Sequence, residues 1–274
     1  MKKMLLGTVA AALLIQTSTW AAPVLPQAIK EKGALTVAIM PNYPPMDFKD
    51  PASNQLTGVD YDLGMAIGEK LGIKINWQEI AFEQMVNAVV TKRVDMVLSG
   101  MTDTKERQKV VSFIDYFKTG PQFYTLAARS ELKSAMDLCG KRVGTSRRTT
   151  FPQEIASWSK AHCEAAGKPA IVVVGAEGSA DARTQLRQRR LDAAVQGSET
   201  LPYIMSLEKN TYKPLDKAFA FQYTGMAIDK NNPALVTAVQ QAIDAMIADG
   251  SYGKILAKWG LSDNGITAAM VNQG

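Results

Sequence analysis

Asp60-Tyr61-Asp62-Leu63-Gly64-Met65-Ala66-Ile67-Gly68-Glu69-Lys70-Leu71-Gly72-Ile73-Lys74-Ile75-Asn76-Trp77-Gln78-Glu79-Ile80 is the stretch that decides the fold. In its first half Leu63, Ile67 and Leu71 recur every four residues, with Ala66 filling the stripe, as in an amphipathic helix. Ile73 to Ile80 then reads as a strand. Upstream, Leu35 to Ile39 is a short strand rich in β-branched residues. Downstream, Glu83 to Lys92 places Met85, Ala88 and Val89 on one helix face, and Val94 to Leu98 reads as a third strand. Strands alternating with helices predict parallel pairing through right-handed crossovers, hence an open α/β sheet.

The order repeats further on. Arg142 to Thr145, Ile171 to Gly175 and Ala193 to Gln196 read as strands; Pro152 to Ala165, Ser179 to Arg190 and a segment from Glu199 read as helices. Apolar strand-like segments, Gln122 to Ala128 and Phe219 to Ile228, lie on either side of this second set. Two connections imply two lobes: a first lobe built from residues 22–122 and 221–274, and a second from 123–220. Asn232-Pro233 predicts an N-cap with proline in the first helical turn. The helices Ala234 to Ala248 and Tyr252 to Trp259 then return to the first lobe. Weak periodicity beyond Asp263 predicts a fraying end.

The chain has 274 residues, 46% of them hydrophobic and 21% charged, which excludes whole-chain disorder. Its formal charge of +5 is low for a nucleic-acid binder. Lys2 and Lys3, an apolar run from Met4 to Ile15 and small residues up to Ala22 have the layout of a secretory signal peptide, residues 1–21, cleaved after Ala21. That run is too short to span a membrane, and no cysteine near the junction supports a lipid anchor. Export to the periplasm gives meaning to Cys139 and Cys163, the only two cysteines. An oxidising compartment favours a disulfide over two buried thiols.

The catalytic inventory is thin. His162 is the only histidine, so neither the usual zinc sets nor a Ser-His-Asp arrangement has its parts, and no metal is expected. A Walker loop and a G-x-G-x-x-G turn are both missing from the sequence, so no phosphate cradle and no cofactor are signalled. Asp60 and Asp62, early in a helix, read as acids that complement its dipole. The informative segment is Ser99-Gly100-Met101-Thr102-Asp103-Thr104-Lys105-Glu106-Arg107. It follows a predicted strand, at the end where open α/β sheets hold ligands. Gly100 permits close approach, Thr102 offers a hydroxyl, and Arg107 offers a planar fork suited to a carboxylate.

With this segment, Leu56-Thr57-Gly58-Val59-Asp60-Tyr61-Asp62-Leu63, Gly140-Lys141-Arg142-Val143 and Asp249 to Trp259, the mature chain resembles the periplasmic solute-binding proteins of polar amino-acid ABC importers, bacterial extracellular family 3. The resemblance implies a type II periplasmic binding fold: two α/β lobes, each an open mixed or parallel sheet flanked by helices, joined by a two-strand hinge around a ligand cleft. It implies a small amino acid or related carboxylate as ligand and an inner-membrane permease as partner, with no nucleic acid, no membrane anchor and a monomeric state. By position, Arg107 matches the family arginine that holds the ligand carboxylate, with Gly100, Met101 and Thr102 beside it. Tyr43 and Phe82 match aromatic walls; core packing is the competing role for both.

The second lobe departs from the family pattern. Arg148 stands where glycine usually precedes the Thr149-Thr150 pair, and either adds charge to the cleft or points outward. Gly197 stands where an aspartate usually receives the ligand amine. Glu199, two residues on, is either its substitute or an ordinary helix-end acid after a Ser198 cap. The expected function is therefore non-catalytic delivery to an importer. The alternatives are a cyclohexadienyl dehydratase-like periplasmic enzyme, which the same departures allow, and a ligand-sensing module.

Overall fold

The computed structural model describes residues 24–274; the expected signal peptide lies outside the described residues. Two separate sheets carry the architecture. In the first, the spatial order is Met270–Val271, Val111–Thr119, Gln222–Asp229, Met96–Val97, Ala34–Ile39 and Lys74–Glu79. Ala34–Ile39 pairs parallel with both Lys74–Glu79 and Met96–Val97, as the alternating pattern requires. Gln222–Asp229 and Val111–Thr119 pair antiparallel, so the sheet is mixed.

The second sheet runs Val172–Ala176, Arg142–Ser146, Ala193–Gly197, Pro121–Leu126 and Tyr212–Leu215. Its first three strands are parallel and its last two antiparallel. The chain passes from one sheet to the other between Thr119 and Pro121 and returns between Leu215 and Gln222. This is the two-lobed type II binding-protein fold, mixed α/β with helices over the sheets.

Leu63, Ile67 and Leu71 face inward from helix Val59–Leu71 and join Leu235, Val239, Ile243 and Met246 of helix Pro233–Ala248 in one apolar cluster. The long C-terminal helix thus closes the first lobe's core, although 162 positions separate its start at Pro233 from the end of helix Val59–Leu71. Its start is fixed as expected: Asn232 accepts from the Leu235 N–H at 3.2 Å, and Pro233 occupies the first turn. Cys139 and Cys163 are joined as a disulfide against the second lobe's core.

Three local expectations fail. The end of the chain is pinned: Met270–Val271 pairs with Val111–Thr119, and the Gly274 N–H donates to Asp103 at 2.9 Å. Backbone pairing, which needs no hydrophobic period, holds this segment. Glu83 to Lys92 is a 3-10 turn, Phe82–Gln84, running into a shorter helix, Met85–Val90. The helix expected from Glu199 begins at Leu201, with Thr200 at the cap position rather than Ser198, because Glu199 is drawn inward.

Candidate functional site

A cavity of about 450 Å³ lies between the lobes. Tyr43, Phe82, Gly100, Thr102 and Arg107 line it from the first lobe, and Arg148, Thr149 and Thr150 from the second. The first-lobe wall follows directly from the strand end. After Met96–Val97 the chain turns at Gly100, whose φ of +54° suits glycine and whose face lies against the Tyr43 ring. A Cβ there would meet that ring at 3.2 Å.

The turn is held from beneath by a carboxylate. Asp60, fully buried, accepts from the Gly100 N–H at 2.7 Å and from the Tyr116 hydroxyl at 2.5 Å. Asp47, equally buried, accepts from Ser99 Oγ at 2.9 Å, and Ser99 Oγ in turn accepts from the Met40 N–H at 3.0 Å. Burial pushes both carboxyls up, Asp60 to about 7, and the proximity of the two acids adds to the rise at Asp47. Asp60, in the first turn of helix Val59–Leu71 as expected, is in addition a buried strut of the site. The Gly100 N–H, committed to Asp60, is not free for a ligand.

Arg107 is half-buried in the cavity wall. Its Nη1 donates to the Thr102 carbonyl at 2.7 Å, and its guanidinium carbon stands 5.5 Å from the centre of the Phe82 ring. These contacts orient the fork without neutralising it: Arg107 forms no salt bridge among the described residues. Burial lowers its pKa, with Asp103 acting the other way, yet a guanidinium stays charged. A partly desolvated, oriented guanidinium with no salt-bridge partner has the geometry to take a carboxylate by paired hydrogen bonds.

The second-lobe wall is different. Arg148 faces the cleft rather than outward, but its charge is taken by Glu83 from the opposite lobe. This is the one ion pair between the lobes among the described residues. Arg147 is likewise paired, with Glu177. Thr149 Oγ1 donates to the Ser146 carbonyl at 2.8 Å, whereas Thr150 Oγ1 is buried without a partner among the described residues.

Three expected positions are not in the cavity wall. Met101 is buried against Val97 and Phe113 in the first lobe, since its side chain falls on the inner side of the turn. Gly197 and Glu199 lie behind Tyr43. The Tyr43 hydroxyl donates to Glu199 at 2.8 Å and accepts from the Gly197 N–H at 3.2 Å, while Thr119 donates to the other Glu199 oxygen. A Cβ on Gly197 would strike the Glu199 carboxylate at 2.1 Å and the Tyr43 hydroxyl at 2.4 Å. Glu199 thus fills the space that a side chain at 197 would take, and burial raises its pKa. Its oxygens are committed to Tyr43 and Thr119, so it does not stand open to an amine.

Cavity residues that the sequence reading passed over include Ser99, Gln196, Glu177 and Asp181. Ser99 was visible within the Ser99 to Arg107 segment. Gln196 sits at the end of a strand, the same signal that singled out Gly100.

The model of the bacterial extracellular solute-binding proteins, family 3, matches residues 35–262. The chain belongs to that family. Among its relatives, this family 3 protein is 30% identical over 237 residues to the L-arginine-binding protein of Pseudomonas aeruginosa, covering 81% of this chain and 86% of the relative. It is 28% identical over 252 residues to the arginine-binding protein ArgT of Corynebacterium glutamicum, covering 91% and 81%. Among solved structures it resembles AncCDT-1, an ancestral amino acid-binding protein and precursor of cyclohexadienyl dehydratase, with a TM-score of 0.75 and 29% identity over 85% of this chain and 97% of that one. No helix among the described residues of this solute-binding protein is long and apolar enough to cross a membrane.

Proposed function

We propose that this protein is the periplasmic substrate-binding component of an ABC importer for an amino acid or related small carboxylate, held in the interlobe cleft with its carboxylate on Arg107. The observation that carries the reading is the Arg107 guanidinium: oriented by Thr102 and Phe82, lining the cavity, and without a salt bridge among the described residues. Residues 22–122 and 221–274 act as one lobe and 123–220 as the other. Ligand docks on the first lobe, and closure brings Thr149 and Thr150 over it. The ligand drives closure only through its higher affinity for the closed form, and the permease partner reads that form. Family membership and the arginine-binding relatives support binding rather than catalysis.

Thermal unfolding of residues 22–274 against single amino acids, dicarboxylates, γ-amino acids and prephenate tests the reading. A ligand at 100 times its Kd stabilises the fold by about 2.7 kcal/mol, so one small carboxylate class should raise the midpoint selectively. Absence of any shift, or appearance of an aromatic product from prephenate, contradicts it.

A further inference from the structure

Gly197 leaves no carboxylate at the end of strand Ala193–Gly197, and Glu199 is sealed behind Tyr43. Three other acids line the cavity: Glu83, Glu177 and Asp181. Glu83 and Glu177 are taken by Arg148 and Arg147. Asp181 forms no salt bridge among the described residues, and Arg183, two positions on, turns instead to Gln196 Oε1 at 3.4 Å.

Asp181 stands half-buried in the first turn of helix Ser179–Arg187. Its Oδ2 accepts from the Glu177 N–H and from Gln185 Nε2, both at 3.0 Å. These two donors fix the carboxyl group and account for a helix-capping role, but they use one oxygen only. Oδ1 has no partner among the described residues and is not buried. Arg107 and Asp181 therefore line one cavity of about 450 Å³ from opposite lobes, a cation on the first and an anion on the second, each oriented by neighbours and neither in a salt bridge among the described residues. A small molecule carrying both charges can engage both lobes at once, and the charge-assisted hydrogen bonds it forms are the stronger kind.

We infer that Asp181 receives the ligand's cationic nitrogen, moving the amine site from the end of strand Ala193–Gly197 to the first turn of helix Ser179–Arg187. The ligand class is a small carboxylate bearing an ammonium or guanidinium, in preference to a dicarboxylate or keto acid. The inference rests on the cleft-binding reading above and deepens it.

Isothermal titration of residues 22–274 with the common amino acids and 4-aminobutyrate, against succinate, glutarate and 2-oxoglutarate, reads the preference. The tightest ligand should carry a cationic nitrogen. Asp181→Asn keeps the side-chain volume and an oxygen for the Glu177 N–H, and removes the charge. It should weaken that ligand at least about tenfold while the melting midpoint without ligand stays at the wild-type value. Asp181→Ser, a shorter neutral residue, should show the same loss and covers the case in which the asparagine variant does not fold. Asp181→Glu, which keeps the charge, should bind more tightly than either neutral variant. A wild type that favours the amine-free acids, a smaller loss in folded neutral variants, or one loss shared equally by all three variants marks Asp181 as a cap alone; any of these overturns the inference and leaves the binding function standing. If no carboxylate in the thermal panel binds at all, the cleft-binding reading fails and takes the inference with it.

Discussion

The two walls of the cleft are built on opposite plans. The first-lobe wall centres on the segment Ser99 to Arg107, flanked by Tyr43 and Phe82 and pinned from below by the Asp47 and Asp60 carboxyls, and the cation that lines it, Arg107, forms no salt bridge among the described residues. The second-lobe wall is gathered from three strand ends and two helix starts, and its cations are already paired. In the proposed function the first wall holds the ligand carboxylate. The second wall carries Arg148, where the family pattern has glycine, and in the proposed function this wall sets selectivity. Affinity should therefore be lost at the first wall and selectivity altered at the second.

The comparison can be broken at the base of each lobe. The second lobe is stapled by Cys139–Cys163, across 24 residues. Cys139→Ser should lower stability by about 3 kcal/mol in chemical denaturation. Loss of that size confined to the second lobe's unfolding, with the first-lobe wall still protected in hydrogen exchange, sharpens the contrast; a negligible loss removes it.

Gly197→Asp, which places a carboxylate where the family usually has one, meets Glu199 and Tyr43 at 2.1 to 2.4 Å. Overpacking of this kind costs about 1–3 kcal/mol. The variant should melt earlier without gaining affinity for amines. A stable variant with new amine affinity would show that Glu199 yields easily.

The first lobe's buried acids produce a pH signature. Burial raises Asp47, Asp60 and Asp115, the last two to about 7, against about 3.9 for an unfolded aspartate. Between about pH 4 and 7 the folded protein therefore holds protons that the unfolded chain has lost, and stability falls as pH rises through that window. Asp137, held down by the Lys133 and Ser134 N–H groups, has the opposite effect, but only below about pH 4. Denaturation midpoints should be higher at pH 5 than at 7.5, and Asp60→Asn should flatten the slope. A midpoint that rises with pH in this window contradicts the buried network.

The smallest effect belongs to the Glu83–Arg148 pair that spans the cleft mouth. Both side chains are more than a third exposed, so Glu83→Gln should cost at most about 1 kcal/mol, seen as faster ligand release at low salt. Release unchanged at all salt concentrations would remove the pair from the closure account.

What the sequence made legible follows from how local each signal is. The β-α-β-α-β sets, the parallel strands and the Asn232 cap rest on short-range periodicity and could be read directly. Val111–Thr119, Tyr212–Leu215 and Met270–Val271 escaped because antiparallel hinge and edge strands draw their pairing from partners far along the chain. The same limit applied to the site. Arg107 and its neighbours lie in one segment, so they were found together. Asp60, read as a dipole acid, becomes a strut only when the fold lays Gly100 and Tyr116 against it. Glu199 was weighed as an amine acceptor, but Tyr43, 156 positions away, takes its carboxylate.

The most direct test of the account is the affinity of Arg107→Ala for whichever carboxylate the wild type binds, measured by titration calorimetry with the variant's fold checked by its melting curve. Removing the charged partner of a buried carboxylate should cost about 1.5–3 kcal/mol, roughly a 10- to 150-fold loss. Binding within twofold of wild type by a folded variant would contradict the carboxylate anchor on which the functional reading stands.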